Sequence, residues 1–567
     1  MSITQSNLGN YHYWIGRLPR TFPISLCGLG AVLWLFYVGT AEFTFGDNLG
    51  LVDSLNPIFY LAVSLTLVSI GISLLSPKID WRIGLVQLLV LQLQLSLTFN
   101  FLWGLNQAFP PSPPNALSFG VSRQIVQQGG LASLFPSPLA WPGAYVYGSL
   151  LSEVTGLLNF NLTSTLIGSV FLGTSLLFLV TVVQQLVGEF RMSILAGFGF
   201  IVGTWTLIPS FTDVGFSIPL VFCFIVVAFS SNRLNRITAI LVLTLTTSVV
   251  LANPYAAFSI LCVLLAYGLP ISKIPDHKSW IRLFVIASII FGVWYAILNS
   301  GLLLTYAPLL SRLASFQFLL QQLSSKYAGS ISHRTVVLTG EVIGFLLTLV
   351  ASAGILQRRS VLISKDSRVM LTIAGFGLAL VILGPAYAYG ASITYSVVET
   401  IERTWVFGFA FVAYFAVRFF AGRRAVGLFI LFCALVPLFL IANSGDYGFY
   451  PSVSETHAGV YLEGHLASAT VLRTDNFTTL DGLYALYYPY FSRLSPSGGT
   501  IESNVSLARY VGSSPPAIIA YSLHNSYMIE ALGGTSSWYL RQWQTVSRYQ
   551  AVDVVYDNVL MSVMFIT

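Results

Sequence analysis

Long blocks of apolar residues, each about the length of a membrane crossing, alternate with short polar or charged breaks along most of this chain. Crossing about 30 Å of hydrocarbon takes about 20 mainly apolar residues in a helix. Thirteen stretches fit: residues 21–40, 56–75, 83–103, 165–187, 191–208, 214–230, 237–252, 254–270, 282–299, 335–356, 369–388, 404–420 and 425–443. The count has a margin of one or two, because Pro254 marks either a turn between two spans or a kink within one. The pattern predicts an all-α polytopic transmembrane bundle over residues 1–443, in a multi-pass cell-membrane protein. From about residue 444 the apolar blocks shorten, and Ser, Thr, Tyr and Asn become common. Residues 458–475, 516–532 and 551–566 hold short β-branched and aromatic runs, the last reading as a hairpin about Asp557-Asn558. Residues 477–490 and 536–548 read as short helices, so 444–567 is expected to form a small α+β domain.

Composition narrows the class. The 567 residues are 55% apolar and only 8% charged, against roughly 25% charged in soluble domains. That excludes a soluble enzyme, a disordered chain and a nucleic-acid binder. Cys27, Cys223, Cys262 and Cys433 all fall in apolar runs without a C-x-x-C pair, and read as small apolar fillers. The first apolar run follows Arg17 and Arg20 and reads as a first span rather than a cleaved signal.

Charge placement orients the spans. With the N-terminus inside, 17 of the 27 basic residues fall in short loops or span ends on the cytoplasmic side, among them Lys78, Arg82, Arg191, Arg236, Lys278 and Arg282. That bias is the usual positive-inside pattern, and it recurs at all seven inner positions. An odd number of spans then places the C-terminal domain outside. It also leaves two long outer segments, 104–164 and 300–334. The sequons at Asn161, Asn476 and Asn504 all fall outside in this frame, as glycosylation would require.

The loop at 104–164 has a readable order. Prolines 110, 111, 113 and 114 break the chain, residues 116–127 predict an amphipathic helix, and 144–157 predict another with Glu153 as its only charge. Trp141 and Tyr145 are expected to anchor the loop in the headgroup layer, and an inert structural cap is the competing reading. The pieces "GGLASL" (129–134), "WPG" (141–143) and "SEVTGL" (152–157) resemble the outer loop of the archaeal polytopic membrane glycosyltransferases. These enzymes use polyprenyl-phosphate sugars and are related to protein O-mannosyltransferases and to bacterial membrane sugar transferases. The "ERTWVF" segment (402–407) and the ending "VYDNV" (555–559) resemble the same family. The resemblance implies transfer of a sugar from a polyprenyl- or dolichyl-phosphate donor to a glycan or protein acceptor at the outer face. Where the family carries a loop carboxylate, this chain has Asn115, which has no useful proton affinity for base catalysis and can at most orient a hydroxyl.

The chemistry therefore needs another carboxylate. Glu42 and Asp47 follow span one, where many enzymes of the broader class keep a catalytic acid; solvated helix ends are the plainer reading. Glu341 lies six or seven residues inside span ten, about 10 Å deep at 1.5 Å per residue. A carboxylate there is costly unless paired or facing a polar cavity, so it is either a functional acid or a packing acid held by Thr339 or a serine. Glu402 and Arg403 start span twelve, either as a lipid-phosphate site or as a local ion pair. Arg123 and His333 are further outer-face candidates for binding the substrate, with Asn115, Trp141 and Arg403. No metal-ligand motif occurs outside, although a divalent cation (Mg or Mn) at the phosphate is compatible with the chemistry. The alternative to an enzyme is an inactive relative that binds lipid-linked glycan or scaffolds a surface assembly. A transporter finds no inverted repeat and no paired intramembrane charges in its support.

Overall fold

The computed structural model describes residues 19, 21–41, 52, 55–76, 81–104, 122, 125–126, 142–155, 160–203, 213–230, 234–270, 276–298, 331–357, 369, 371–379, 413–414, 417, 425–443, 471–474, 517–522, 552–558 and 561–566. Its described helices are α1 (Thr21–Thr40), α2 (Pro57–Leu75), α3 (Trp81–Gly104), α4 (Gly143–Thr155), α5 (Phe160–Val187), α6 (Phe190–Gly203), α7 (Asp213–Ser230), α8 (Arg236–Ala252), α9 (Pro254–Gly268), α10 (His277–Gly292), α11 (Ile331–Gln357) and α12 (Ala425–Asn443). A π-helical turn, Val293–Leu298, extends α10, and residues 371–379, 413–414 and 417 are helical as well. Each of the thirteen predicted intervals thus holds helix. Six described helical stretches are long and apolar enough to cross a membrane, and five more are apolar but shorter. The chain is a multi-pass membrane protein.

Lipid and protein contacts divide these helices physically. In α1, Leu29, Val32, Leu35 and Phe36 are at least half exposed, while Trp34 and Tyr37 are buried. A helix apolar on all sides with one side uncovered fits a hydrocarbon solvent rather than water. In α6, by contrast, every residue from Met192 to Gly203 is buried. Its fourteen residues rise only about 21 Å, and neighbours rather than lipid surround it: α3, α5, α11 and α12 all pack on it.

Small residues set the close crossings, as expected where lipid removes the hydrophobic drive between helices. A Cβ on Gly30 of α1 would lie 2.7 Å from Thr66 Oγ1 and 2.8 Å from the Ala62 carbonyl oxygen of α2. Gly199 of α6 faces the Phe432 ring of α12, and Gly375 lies against the Val263 backbone of α9. A polar seam joins α1, α2 and α3. Trp34 Nε1 donates to Thr98 Oγ1 at 2.8 Å, the Thr98 hydroxyl donates to the Gln94 carbonyl, and Gln87 Nε2 donates to Ser69 Oγ at 2.6 Å. The Ser69 hydroxyl in turn donates to the Pro23 carbonyl. Such bonds fix helix register in a medium where polar groups find few other partners.

The alternation of spans predicted from charge is reproduced in these contacts. Arg191 Nη2 donates to the Ser76 carbonyl at 3.2 Å, joining two ends that the charge pattern assigns to the same, inner side. The Tyr267 and Thr372 hydroxyls lie 2.7 Å apart, at ends assigned to that side as well. At the opposite face, the Tyr295 hydroxyl donates to the Val250 carbonyl at 2.9 Å. Pro254 resolves as a turn: Asn253 accepts from Tyr255 N and Ala256 N, and its own N–H donates to Val249 O. One residue thereby ends α8 and starts α9, with proline at the first helical position, where no N–H is needed.

In the C-terminal region the described residues form one four-stranded sheet in the order β1-β2-β4-β3, from β1 (Val471–Thr474), β2 (Ala517–Ser522), β3 (Val552–Asn558) and β4 (Met561–Ile566). β1 and β2 are parallel, and the other pairs are antiparallel. Asn558 pairs with Met561, which makes β3 and β4 the expected hairpin, with a register shift between Val554 and Tyr556. The helices expected at 477–490 and 536–548 lie outside the described residues.

Candidate functional site

The loop after α3 is built onto the helix ends that the charge pattern assigns to the outer side. α4 packs on α7 and α8, and it begins at a close approach: a Cβ on Gly143 would lie 3.1 Å from the Leu251 carbonyl oxygen and 3.2 Å from Ala252 Cα. The "WPG" segment therefore ends on the residue that lets the loop touch the last turn of α8. The Ser122 hydroxyl donates to the Tyr145 carbonyl at 2.9 Å. The Ser149 hydroxyl is shared between the carbonyls of Ser122 and Tyr145. These bonds tie the first predicted loop helix to the second. Below them, Tyr147 of α4 meets Phe171 of α5 and Phe216 of α7, with ring centroids 5.3–5.7 Å apart.

The expected headgroup role of Tyr145 is corrected here. Tyr145 is 4% exposed, so protein covers it and it does not lie in the headgroup layer. Glu153 is exposed on the same helix.

Two features of this face were not anticipated from the sequence. The last turn of α8 leaves carbonyls without intrahelical partners, and Tyr295 supplies one of them from the π-helical turn of α10. Asn253 is 1% exposed and its caps occupy both helices; the Asn-Pro pair was the available signal.

Among the expected site residues, Glu341 is the one whose side chain falls within the described residues. It is half-buried in the outer part of α11. Leu338, Val342, Phe345 and Leu349 form the exposed stripe of that helix, and Ile343, Leu347 and Ala351 the buried one. Glu341 stands on the strip between them, with Thr348 and Ser352 two and three turns along. Gly344 lies on that strip, and a Cβ there would meet nothing within 4 Å. Glu341 therefore stands at the border between the buried and the exposed side of α11. Thr339 does not hold it by donation, because the Thr339 hydroxyl donates to the Thr335 carbonyl and has one proton to give.

His333 lies in the first turn of α11, eight residues and about 12 Å of helix axis before Glu341. Glu42, Asp47, Asn115, Arg123, Trp141, Glu402 and Arg403 lie outside the described residues. Among the described residues no three His, Cys, Asp or Glu side chains gather as metal ligands.

No protein-family model matches the chain, and no curated protein matches it. Two solved structures are similar over most of the chain. The crystal structure of ArnT from Cupriavidus metallidurans in the apo state is 12% identical, with a TM-score of 0.39, and the match covers 86% of this chain and 98% of that one. ArnT from the same organism bound to undecaprenyl phosphate is 12% identical, with a TM-score of 0.38, covering 84% and 97%.

Proposed function

We propose that the chain is a membrane glycosyltransferase that moves a sugar from a polyprenyl-phosphate donor to an acceptor at the outer membrane face. The observation that carries this reading is Glu341: a carboxylate half-buried in the outer part of α11, at the border of the lipid-facing stripe. An ionisable side chain within an apolar spanning helix is rare and marks a functional site by default. A donor with a polyprenyl tail enters sideways from the lipid, so its head group arrives at the side of α11 where Glu341 stands. The loop helix α4, fixed to α7 and α8, supplies a folded cover on the same face. In this reading Glu341 accepts the proton of the acceptor hydroxyl, taking the role for which Asn115 is unsuited. Asn115, Arg123, Trp141, His333 and Arg403 are proposed to bind the donor or acceptor, with Glu42, Asp47 and Glu402 as further acids at that face.

The test is transfer from labelled dolichyl-phosphate sugars by purified protein, run beside Glu341→Gln. Wild type transfers, and E341Q transfers at least about a hundredfold less, the scale on which general-base catalysis operates. Adding EDTA reads whether Mg or Mn takes part. Wild-type protein that binds the donors but transfers from none of them establishes the inactive, glycan-binding relative instead.

A further inference from the structure

The cations at the cytoplasmic ends of α8 and α10 are more than topological markers. Arg236 opens α8, and Lys278 and Arg282 lie in the first two turns of α10; all three are exposed. The two helices pack together and run in the same direction, held at their far ends by the bond from Tyr295 to Val250. Counting fourteen residues back from each of those positions reaches Ile281 and Arg236, so Arg236 and Arg282 sit at about the same depth. α9 is buried along most of its length behind both helices, which leaves α8 and α10 as an outer layer.

The cations continue the lipid-facing stripes directly. On α10, Lys278, Arg282, Val285 and Ile289 follow one column at helical spacing, and on α8 Arg236 is aligned with Ile240. Ile237 is 70% exposed and Ile289 59%. None of the three cations makes an ion pair or side-chain hydrogen bond with a described residue. The nearest acid in sequence, Asp276, is exposed just before α10 and makes no capping bond. An acyl chain lying on this apolar surface would bring its own phosphate to the level of three cations that no described residue pairs.

We propose that the inner ends of α8 and α10 form a binding site for an anionic glycerophospholipid of the cytoplasmic leaflet, with Arg236, Lys278 and Arg282 on the headgroup and the exposed isoleucines on the chains. A signal for orientation alone needs charge in the loops; here the charge stands on the lipid-facing sides of helices, above a continuous apolar surface. Basic clusters beside a membrane attract anionic headgroups cumulatively, residue by residue.

The experiment is native mass spectrometry of the purified full chain with phosphatidylglycerol and phosphatidylcholine. Wild type retains phosphatidylglycerol in preference. Arg282→Gln weakens the first bound phosphatidylglycerol about fivefold, and the triple Gln variant at 236, 278 and 282 more than tenfold. Arg82→Gln, which removes the same charge from α3 on the same face, changes it less than about twofold. A triple variant that binds like wild type, or an Arg82→Gln effect equal to that of Arg282→Gln, overturns the proposal. On unaltered protein, a photoactivatable phosphatidylglycerol should label peptides from 236–245 and 277–289; labelling confined to other helices overturns it equally.

Discussion

Gln87 and Gln94 stand seven residues apart on the same side of α3, and both are at least 99% buried. The Gln87 amide nitrogen reaches Ser69 while its oxygen is unpartnered, whereas neither polar side-chain atom of Gln94 has a hydrogen-bond partner among the described residues. A buried unsatisfied polar group costs about 1–3 kcal/mol, while an interhelical hydrogen bond in a membrane is worth roughly 1 kcal/mol. Gln94→Leu should therefore leave the unfolding temperature in detergent unchanged or raise it, and should leave it higher than does Gln87→Leu, which also loses the bond to Ser69. Thiol-reactive dye fluorescence can follow unfolding through Cys27 and Cys262, both buried. A Gln94→Leu protein less stable than Gln87→Leu would contradict this account. Neither glutamine stands out in the sequence, since a polar residue inside an apolar block does not reveal which neighbour it faces. Glu341 was legible because charge in such a block is rare. Its place at the lipid margin was not, because that depends on which sides of α11 other helices cover.

Helix boundaries show what hydropathy can and cannot locate. α1 and α12 match the predicted 21–40 and 425–443, where apolar block and helix coincide. α10 was expected from 282 but begins at His277, and α5 was expected from 165 but begins at Phe160. Hydropathy marks the hydrocarbon, whereas the hydrogen-bonded helix continues about a turn into the interface, where Lys278 and Arg282 are accommodated. The loop helix expected at 144–157 appears as α4, Gly143–Thr155, but its packing on α7 and α8 depends on contacts far apart in sequence. The α1–α2 crossing gives a test at this scale. A Cβ on Gly30 would meet the Ala62 backbone oxygen, which cannot rotate away. Gly30→Ala should cost about 1–3 kcal/mol of stability, the usual range for overpacking, in reversible unfolding from mixed micelles. Gly28→Ala, with nothing within 4 Å of its Cβ, should be near neutral; equal losses at both positions would contradict the crossing.

For the molecule as a whole, few charges decide a great deal. Basic residues predicted which ends of the helices lie together, and the contacts Arg191–Ser76, Tyr267–Thr372 and Tyr295–Val250 join ends of like assignment. How the outer acids stand relative to one another was not legible, because they come from segments far apart in the chain and no periodicity relates them. Transfer at the outer face requires α4 and the outer part of α11 to lie on the side opposite the basic loops. Glu153 on α4 and Glu189 in the turn between α5 and α6 are both exposed, at the two ends of this frame. The direct test is labelling of single cysteines, Glu153→Cys and Glu189→Cys, in intact cells with a membrane-impermeant maleimide, in a background with the native cysteines replaced by serine. The account predicts labelling at 153 from outside and at 189 only after permeabilisation; the reverse pattern, or both positions labelled from one side, would contradict it.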